Sequence, residues 1–342
     1  MFPGAIAADA PNRPAVIMAS TGQAITFKEL DDAANRLSQV LRNAGLNPGD
    51  HVAFCIENHP RYFEILWGCH YAGLIYTACS SRLTTDELNY IINDCGAKAF
   101  ITSKHKADQA AEVANTTPNV SLRLMLDGKI AGYDSYEDTV SKAPATELSN
   151  RVDGVDMLYS SGTTGRPKGI KLGLAMTPLG TPTSLSGLCS MLFAIDKDSI
   201  YLSPAPLYHA APLRFTMTTH RLGGTAIIME HFDAEEYLRL IAKHKVTHSQ
   251  LVPTMFVRML KLDEITRSQF DTSSLKCAIH AAAPCPIEVK KKMIDWWGPV
   301  IHEYYAGSEG NGFVYCNSEQ WLAHPGTVGV ALNATVHICD ED

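Results

Sequence analysis

Tyr159-Ser160-Ser161-Gly162-Thr163-Thr164-Gly165-Arg166-Pro167-Lys168-Gly169 follows the short apolar run Met157-Leu158. The stretch carries four Ser/Thr hydroxyls, three glycines and two cations, a density of anion-binding groups that a structural turn does not need. Glycine bends the backbone through φ > 0 and brings successive N–H groups toward an anion, the hydroxyls donate further hydrogen bonds, and Lys168 adds a point charge. The expected guest is a polyphosphate. The obvious rival is the P-loop, in which lysine follows the second glycine of a spaced pair and a Ser or Thr comes next to hold Mg²⁺. Here Lys168 lies between Pro167 and Gly169, so that hydroxyl is missing, and Pro167 removes a backbone donor.

On both sides of this stretch, helical and strand patterns alternate. Thr26-Phe27-Lys28-Glu29 reads as a capping box opening a helix with Leu30, Ala33, Ala34, Leu37, Val40 and Leu41 at helical spacing, which Gly45 ends. A strand is expected over 51–56, a helix from Pro60 to about Ala72, and a strand over 74–78. A second capping box at Thr84 to Glu87 and a strand over 98–102 follow. Residues 103–150 are polar and irregular and are expected to cross between subdomains 1–150 and 151–342. Further on, strands are expected over 200–203, 225–229, 246–251, 275–282 and 300–305, with helices opened by Asp233 and Pro253 and another carrying Trp296 and Trp297. Strands separated by helices of this length imply βαβ crossovers, hence an α/β fold with parallel sheets layered with helices. In such sheets ligands bind beyond the carboxyl ends of strands. Four marked segments fall there: after Tyr159, Ser203, Ile279 and Tyr305.

Composition narrows the class. With 342 residues, 46% hydrophobic and 19% charged, the chain has the make-up of a globular protein large enough for two subdomains. A net charge of -7 and no basic block beyond Lys290-Lys291-Lys292, expected on a solvated helix face, exclude nucleic acid as the expected partner. Nine cysteines, an odd number with no C-x-x-C pair, suit a reduced interior. No secretory start and no run long enough for a membrane span appear, so the expected location is the cytoplasm. Three tempting patterns fail: His244 and His248 flank no glutamate of the H-E-x-x-H kind, Gly307 to Gly312 lacks the G-x-G-x-x-G order, and no G-x-S-x-G elbow exists.

The stretch from Tyr159 to Gly169 closely resembles the ATP-phosphate signature of the adenylate-forming enzymes, which include acyl-CoA synthetases, firefly luciferase and peptide-synthetase adenylation domains. Three further segments share the resemblance in order: Pro204-Ala205-Pro206-Leu207-Tyr208-His209, Ala281-Ala282-Ala283-Pro284 and Tyr304-Tyr305-Ala306-Gly307-Ser308-Glu309. It implies the α/β fold of the large N-terminal domain of these enzymes across residues 1–342. Ser160, Ser161, Gly162, Thr163, Thr164, Gly165 and Lys168 would then hold the phosphates of ATP. Ala282, Ala283 and Pro284 would lie on one face of adenine, with Tyr305 stacked on the base and Ser308 beside the phosphates. Glu309 would help hold Mg²⁺, a hard cation that takes carboxylate and phosphate oxygens. His209, Ala210 and Gly307 would receive the acid, and His209 and Lys168 are the catalytic candidates, the histidine more by position than by proton transfer.

Departures from the family pattern bear on the substrate. Ala306 stands for glycine and Ser308 for threonine. Leu207-Tyr208-His209 supplies no carboxylate to meet an α-amino group. Gly169 to Leu174 lacks the usual Thr-His, and Thr177-Pro178-Leu179-Gly180-Thr181-Pro182-Thr183 resembles bacterial fatty- or steroid-type acyl-CoA ligases. Pro325-Gly326-Thr327-Val328-Gly329 also matches, but the family's later Thr-Gly-Asp segment and its small mobile C-terminal domain with a lysine do not follow. The expectation is an N-terminal fragment of an acyl-CoA synthetase, using a carboxylic acid, ATP, Mg²⁺ and coenzyme A, with little activity by itself and a homodimer left open. The rivals are an aryl acid or carrier-protein-loading adenylate former, and a non-catalytic module that keeps an acyl or nucleotide pocket.

Overall fold

A computed structural model of the chain describes residues 1–160, 166–337 and 339. Two mixed sheets organise these residues. The nine-stranded sheet runs in the order Val330–Ala331, Phe313–Cys316, Ile301–Ala306, Cys277–His280, His248–Leu251, Ile200–Ser203, Thr225–Ile228, Pro14–Met18, Ala24–Thr26. The seven-stranded sheet runs Asp134–Ser135, Leu122–Leu126, Ala97–Ser103, His51–Cys55, Ile75–Ala78, Val155–Ser160, Lys168–Lys171. Interior neighbours are parallel and the antiparallel pairs sit at the edges, as expected where crossover helices cover both faces. Each half of the chain contributes to both sheets, because Pro14–Met18 pairs with Thr225–Ile228 while Val155–Ser160 pairs with Ile75–Ala78.

Local signals hold where they are covalently close. Thr26 and Thr84 each accept from the backbone N–H three residues on, and Glu29 and Glu87 return the bond, closing both capping boxes. Each such cap is worth about 1 kcal/mol. The helix Phe27–Asn43 buries Phe27, Leu30, Ala34, Leu37 and Leu41 along one stripe. That stripe packs on the helix Tyr62–Tyr71, all of whose residues are buried. A single core thereby continues from one sheet to the other, through Trp67, Leu213 and Met217.

Two expectations are corrected. Residues 103–150 are not an irregular crossing: they contain the helices Ala107–Thr116 and Tyr136–Ser141 and two strands of the seven-stranded sheet. Their polar residues satisfy the backbone, as where Arg123 donates to the carbonyls of Val120 and Thr117. Lys290 is not on a solvated face but fully buried, 2.5 Å from Glu303 Oε2. No described helix is long and apolar enough to cross a membrane.

Candidate active site

Val155–Ser160 and Lys168–Lys171 pair antiparallel, Ser160 opposite Lys168 and Tyr159 opposite Gly169. The hydroxyl-rich stretch is therefore the connection of a β-hairpin, with Lys168 exposed at its base and Ser160 half-buried across from it. Ser161, Gly162, Thr163, Thr164 and Gly165 lie outside the described residues. Gly169 is required: a Cβ there would come within 2.9 Å of Tyr159 Cζ. The Tyr159 ring covers it and donates its hydroxyl to Asp94 Oδ2 at 2.5 Å, tying the hairpin to the helix Thr85–Asp94. The Arg166 guanidinium lies over the Tyr90 ring of the same helix, 5.3 Å from its centroid.

Inside the hairpin's first strand, Asp156 is buried and meets Arg214 from the helix Ala210–Leu222, with Arg214 Nη2 2.8 Å from Asp156 Oδ2. Arg214 Nη1 donates in addition to the Ser308 carbonyl at 3.2 Å. Burial opposes the charge on Arg214, but Asp156 outweighs it and the guanidinium pKa rises. One side chain thus joins the strand that leads into the hydroxyl-rich connection to the segment carrying Ser308 and Glu309.

That segment follows the strand Ile301–Ala306. Tyr305 is 67% exposed and borders a cavity of about 250 Å³ lined also by Ala306, Gly307, Asn311, Gly312 and Val336. Gly307 is a cradle: a Cβ there would lie 2.8 Å from Glu309 Oε2 and 3.1 Å from Asn311 Oδ1. Ser308 is half-buried and Glu309 exposed, its carboxylate free to take a cation among the described residues. No described group of three or more His, Cys, Asp or Glu side chains could hold a metal. A cation held by one carboxylate and by phosphate oxygens needs no such cluster.

Ala282, Ala283 and Pro284 are exposed just past the strand Cys277–His280. Ala282 has φ of 75°, a conformation that costs a non-glycine residue on the order of 1 kcal/mol and turns the chain sharply out of the sheet. His209 is the N-terminal cap of Ala210–Leu222 by its backbone; its exposed ring lies 4.4 Å from that of Tyr208. Partial desolvation and then the Arg82 charge lower its pKa, which leaves the imidazole neutral at neutral pH. Ala210, the next residue, is half-buried.

Three residues of the site escaped the sequence reading. Arg214 and Asp156 are single charges inside the apolar runs Pro212 to Phe215 and Val155 to Leu158, and a charge in such a run must find a partner once buried. Asn58, in the turn after the strand His51–Cys55, donates to the carbonyls of Ala205 and Met229 and accepts from Leu207 N–H. It clamps the Pro204 to Leu207 segment of one sheet to the other, and only the turn signal of an asparagine two residues before Pro60 could have marked it.

A model of the AMP-binding enzyme family matches residues 5–342. Feruloyl-CoA synthase of an Amycolatopsis species is 32% identical over 279 residues, covering 80% of this chain and 52% of that protein. The long-chain-fatty-acid–CoA ligase FadD13 of Mycobacterium tuberculosis is 26% identical over 329 residues, covering 95% of this chain and 63% of that protein. The chain thus spans about half to two-thirds of the length of these relatives. The inhibitor-bound N-terminal domain of FACL13 from Mycobacterium tuberculosis superposes with a TM-score of 0.81 at 23% identity, over 96% of this chain and 81% of that one.

Proposed function

The chain belongs to the AMP-binding enzyme family, and from that premise we propose that it is the nucleotide- and acid-binding domain of an acyl-CoA synthetase. In the reaction a carboxylate oxygen attacks the α-phosphorus of ATP and the bond to pyrophosphate breaks. The sulfur of coenzyme A then attacks the acyl carbon, and AMP leaves. The observation that carries the reading is the double contact of Arg214, which ties the hairpin strand at Asp156 to the Ser308 carbonyl.

Within this reading Lys168 and the hydroxyls from Ser160 to Thr164 steady the β- and γ-phosphates. Tyr305 offers an aromatic face to adenine, and Ala282, Ala283 and Pro284 offer small side chains to its other side. Ser308 stands beside the phosphates. Glu309 is the protein ligand for Mg²⁺, which when bound neutralises phosphate charge. Its exposed carboxylate against Gly307 supports that role. His209, Ala210 and Gly307 border the acid, and the neutral imidazole suits positioning the carboxylate better than holding it as a cation would. Residues 1–342 act as one N-terminal domain built on two sheets. Nine cysteines, none in a disulfide, agree with a cytoplasmic setting.

The acid proposed is of the fatty or steroid type. The similarity to a feruloyl-CoA synthase favours a second reading, an aryl acid. Pyrophosphate release with a panel of fatty, steroid-type and aromatic acids tests both. Nucleotide binding with little turnover by this chain is the expected result, with the preferred acid raising whatever turnover is seen. Absence of any ATP binding would remove the reading.

A further inference from the structure

Lys290 opens a run of three lysines, yet it alone turns inward, fully buried, while Lys291 and Lys292 are exposed. Its Nζ lies 2.5 Å from Glu303 Oε2 and 5.0 Å from the centre of the buried Trp321 ring. His280, fully buried too, places Nε2 3.4 Å from the same carboxylate oxygen. Neither of its ring nitrogens has a hydrogen-bond partner among the described residues. Burial, with the Lys290 charge adding to it, lowers the His280 pKa to about 3, so the ring is neutral. Replacing a buried ion pair by apolar residues of similar volume is often neutral or stabilising, so a buried pair is weak evidence of a role in stability.

The position of the cluster points to another role. His280 and Glu303 face each other as the last paired residues of two adjacent parallel strands. Two residues on, one chain reaches Ala282 with its positive φ, and the other reaches Tyr305 with its exposed ring. Lys290 sits on the helix Ile287–Trp297, which starts directly after the segment Ala282 to Pro286. An ion pair is directional, whereas apolar contacts tolerate sliding, so the Lys290–Glu303 contact pins helix, strand and the exits of both chains in one register.

We propose that the buried Lys290–Glu303 pair, with His280 beside it, is a positioning device that sets the separation between Ala282 to Pro284 and Tyr305 and so shapes a slot for a planar purine base. The inference rests on the nucleotide-binding reading above. Its test uses the whole chain with Lys290→Met and Glu303→Gln. Dissociation constants for AMP and for inorganic tripolyphosphate are measured by titration calorimetry well below each variant's melting temperature. Both variants raise the AMP constant roughly tenfold while the tripolyphosphate constant stays within about twofold, because preorganisation of the base slot alone is lost. Glu303→Gln keeps side-chain volume and is read in the same way should Lys290→Met not fold. Equal weakening of both ligands, or unchanged AMP affinity with only a lower melting temperature, overturns the proposal. A wild-type chain that binds no AMP overturns the nucleotide reading itself, and this inference with it.

Discussion

Arg214 Nη2 lies 2.8 Å from Asp156 Oδ2, joining a helix that packs under the nine-stranded sheet to a strand of the seven-stranded one. The guanidinium also reaches the Ser308 carbonyl, and a planar fork is what allows two acceptors in different directions. Replacing Arg214 by Ala leaves the Asp156 carboxylate mostly buried without its partner, at a cost of about 2 to 3 kcal/mol. Urea unfolding monitored by tryptophan fluorescence measures it. Arg214→Lys recovers less than half, since one ammonium cannot serve both acceptors. Full recovery by lysine would mean that only the charge matters.

Lys168 stands at the base of the hairpin opposite Ser160. Its expected partners are the outer phosphates, so Lys168→Ala weakens ATP binding about tenfold and AMP binding much less. Calorimetric titration of both nucleotides checks the difference. Equal weakening assigns the lysine elsewhere.

Glu309 is exposed beside Gly307. Glu309→Gln keeps the volume and removes the charge that a hard cation requires. The expected outcome is a loss of most of the Mg²⁺ dependence of ATP binding, with metal-free affinity little changed. Metal titrations at fixed ATP give the answer, and an unaltered titration curve removes Glu309 from the site.

His220 is buried as the neutral imidazole: its Nε2–H donates to the Ala15 carbonyl at 3.0 Å, and its Nδ1 accepts from the Trp67 indole at 3.3 Å. Burial lowers its pKa from 6.5 to about 4. An unfolded histidine takes its proton first, so between those two pH values the unfolded state binds more protons and stability falls as pH falls. The contribution is fully present above pH 6.5 and amounts to about 3 kcal/mol when lost. Asp31 and Glu64, whose carboxyls burial raises, pull the other way, so the informative quantity is a difference. His220→Gln is expected to lower stability at pH 7.5 but to lose less of it by pH 5 than the wild type does, as read from urea midpoints at the two pH values.

Most strands and helices were legible because their signals are local. The capping residues Thr26 and Thr84 lie three positions from the glutamates they exchange hydrogen bonds with. The strand ends at Ser203, His280 and Ala306 carry the small, proline- and glycine-marked segments that a ligand needs beside a backbone. The stretch 103–150 was not legible, since strand Leu122–Leu126 carries no alternation of its own and is placed by its pairing with Ala97–Ser103 on one side and Asp134–Ser135 on the other. The hairpin partner Lys168–Lys171 was hidden in the same way, Lys168 reading as a phosphate ligand rather than as the start of an edge strand.

The sequence by itself established the alternation of helices and strands, the family resemblance and the order of the four site segments, because each depends on residue types at short, fixed separations. Only the tertiary structure decided that Arg214 would bridge Asp156 and Ser308, that Asn58 would hold Ala205 and Leu207, and that Lys290 would turn inward onto Glu303. The physical reason is that a single polar side chain has no period to reveal its direction. Its partner is chosen by which strands lie side by side, and that choice is made by the collective burial of apolar faces far along the chain.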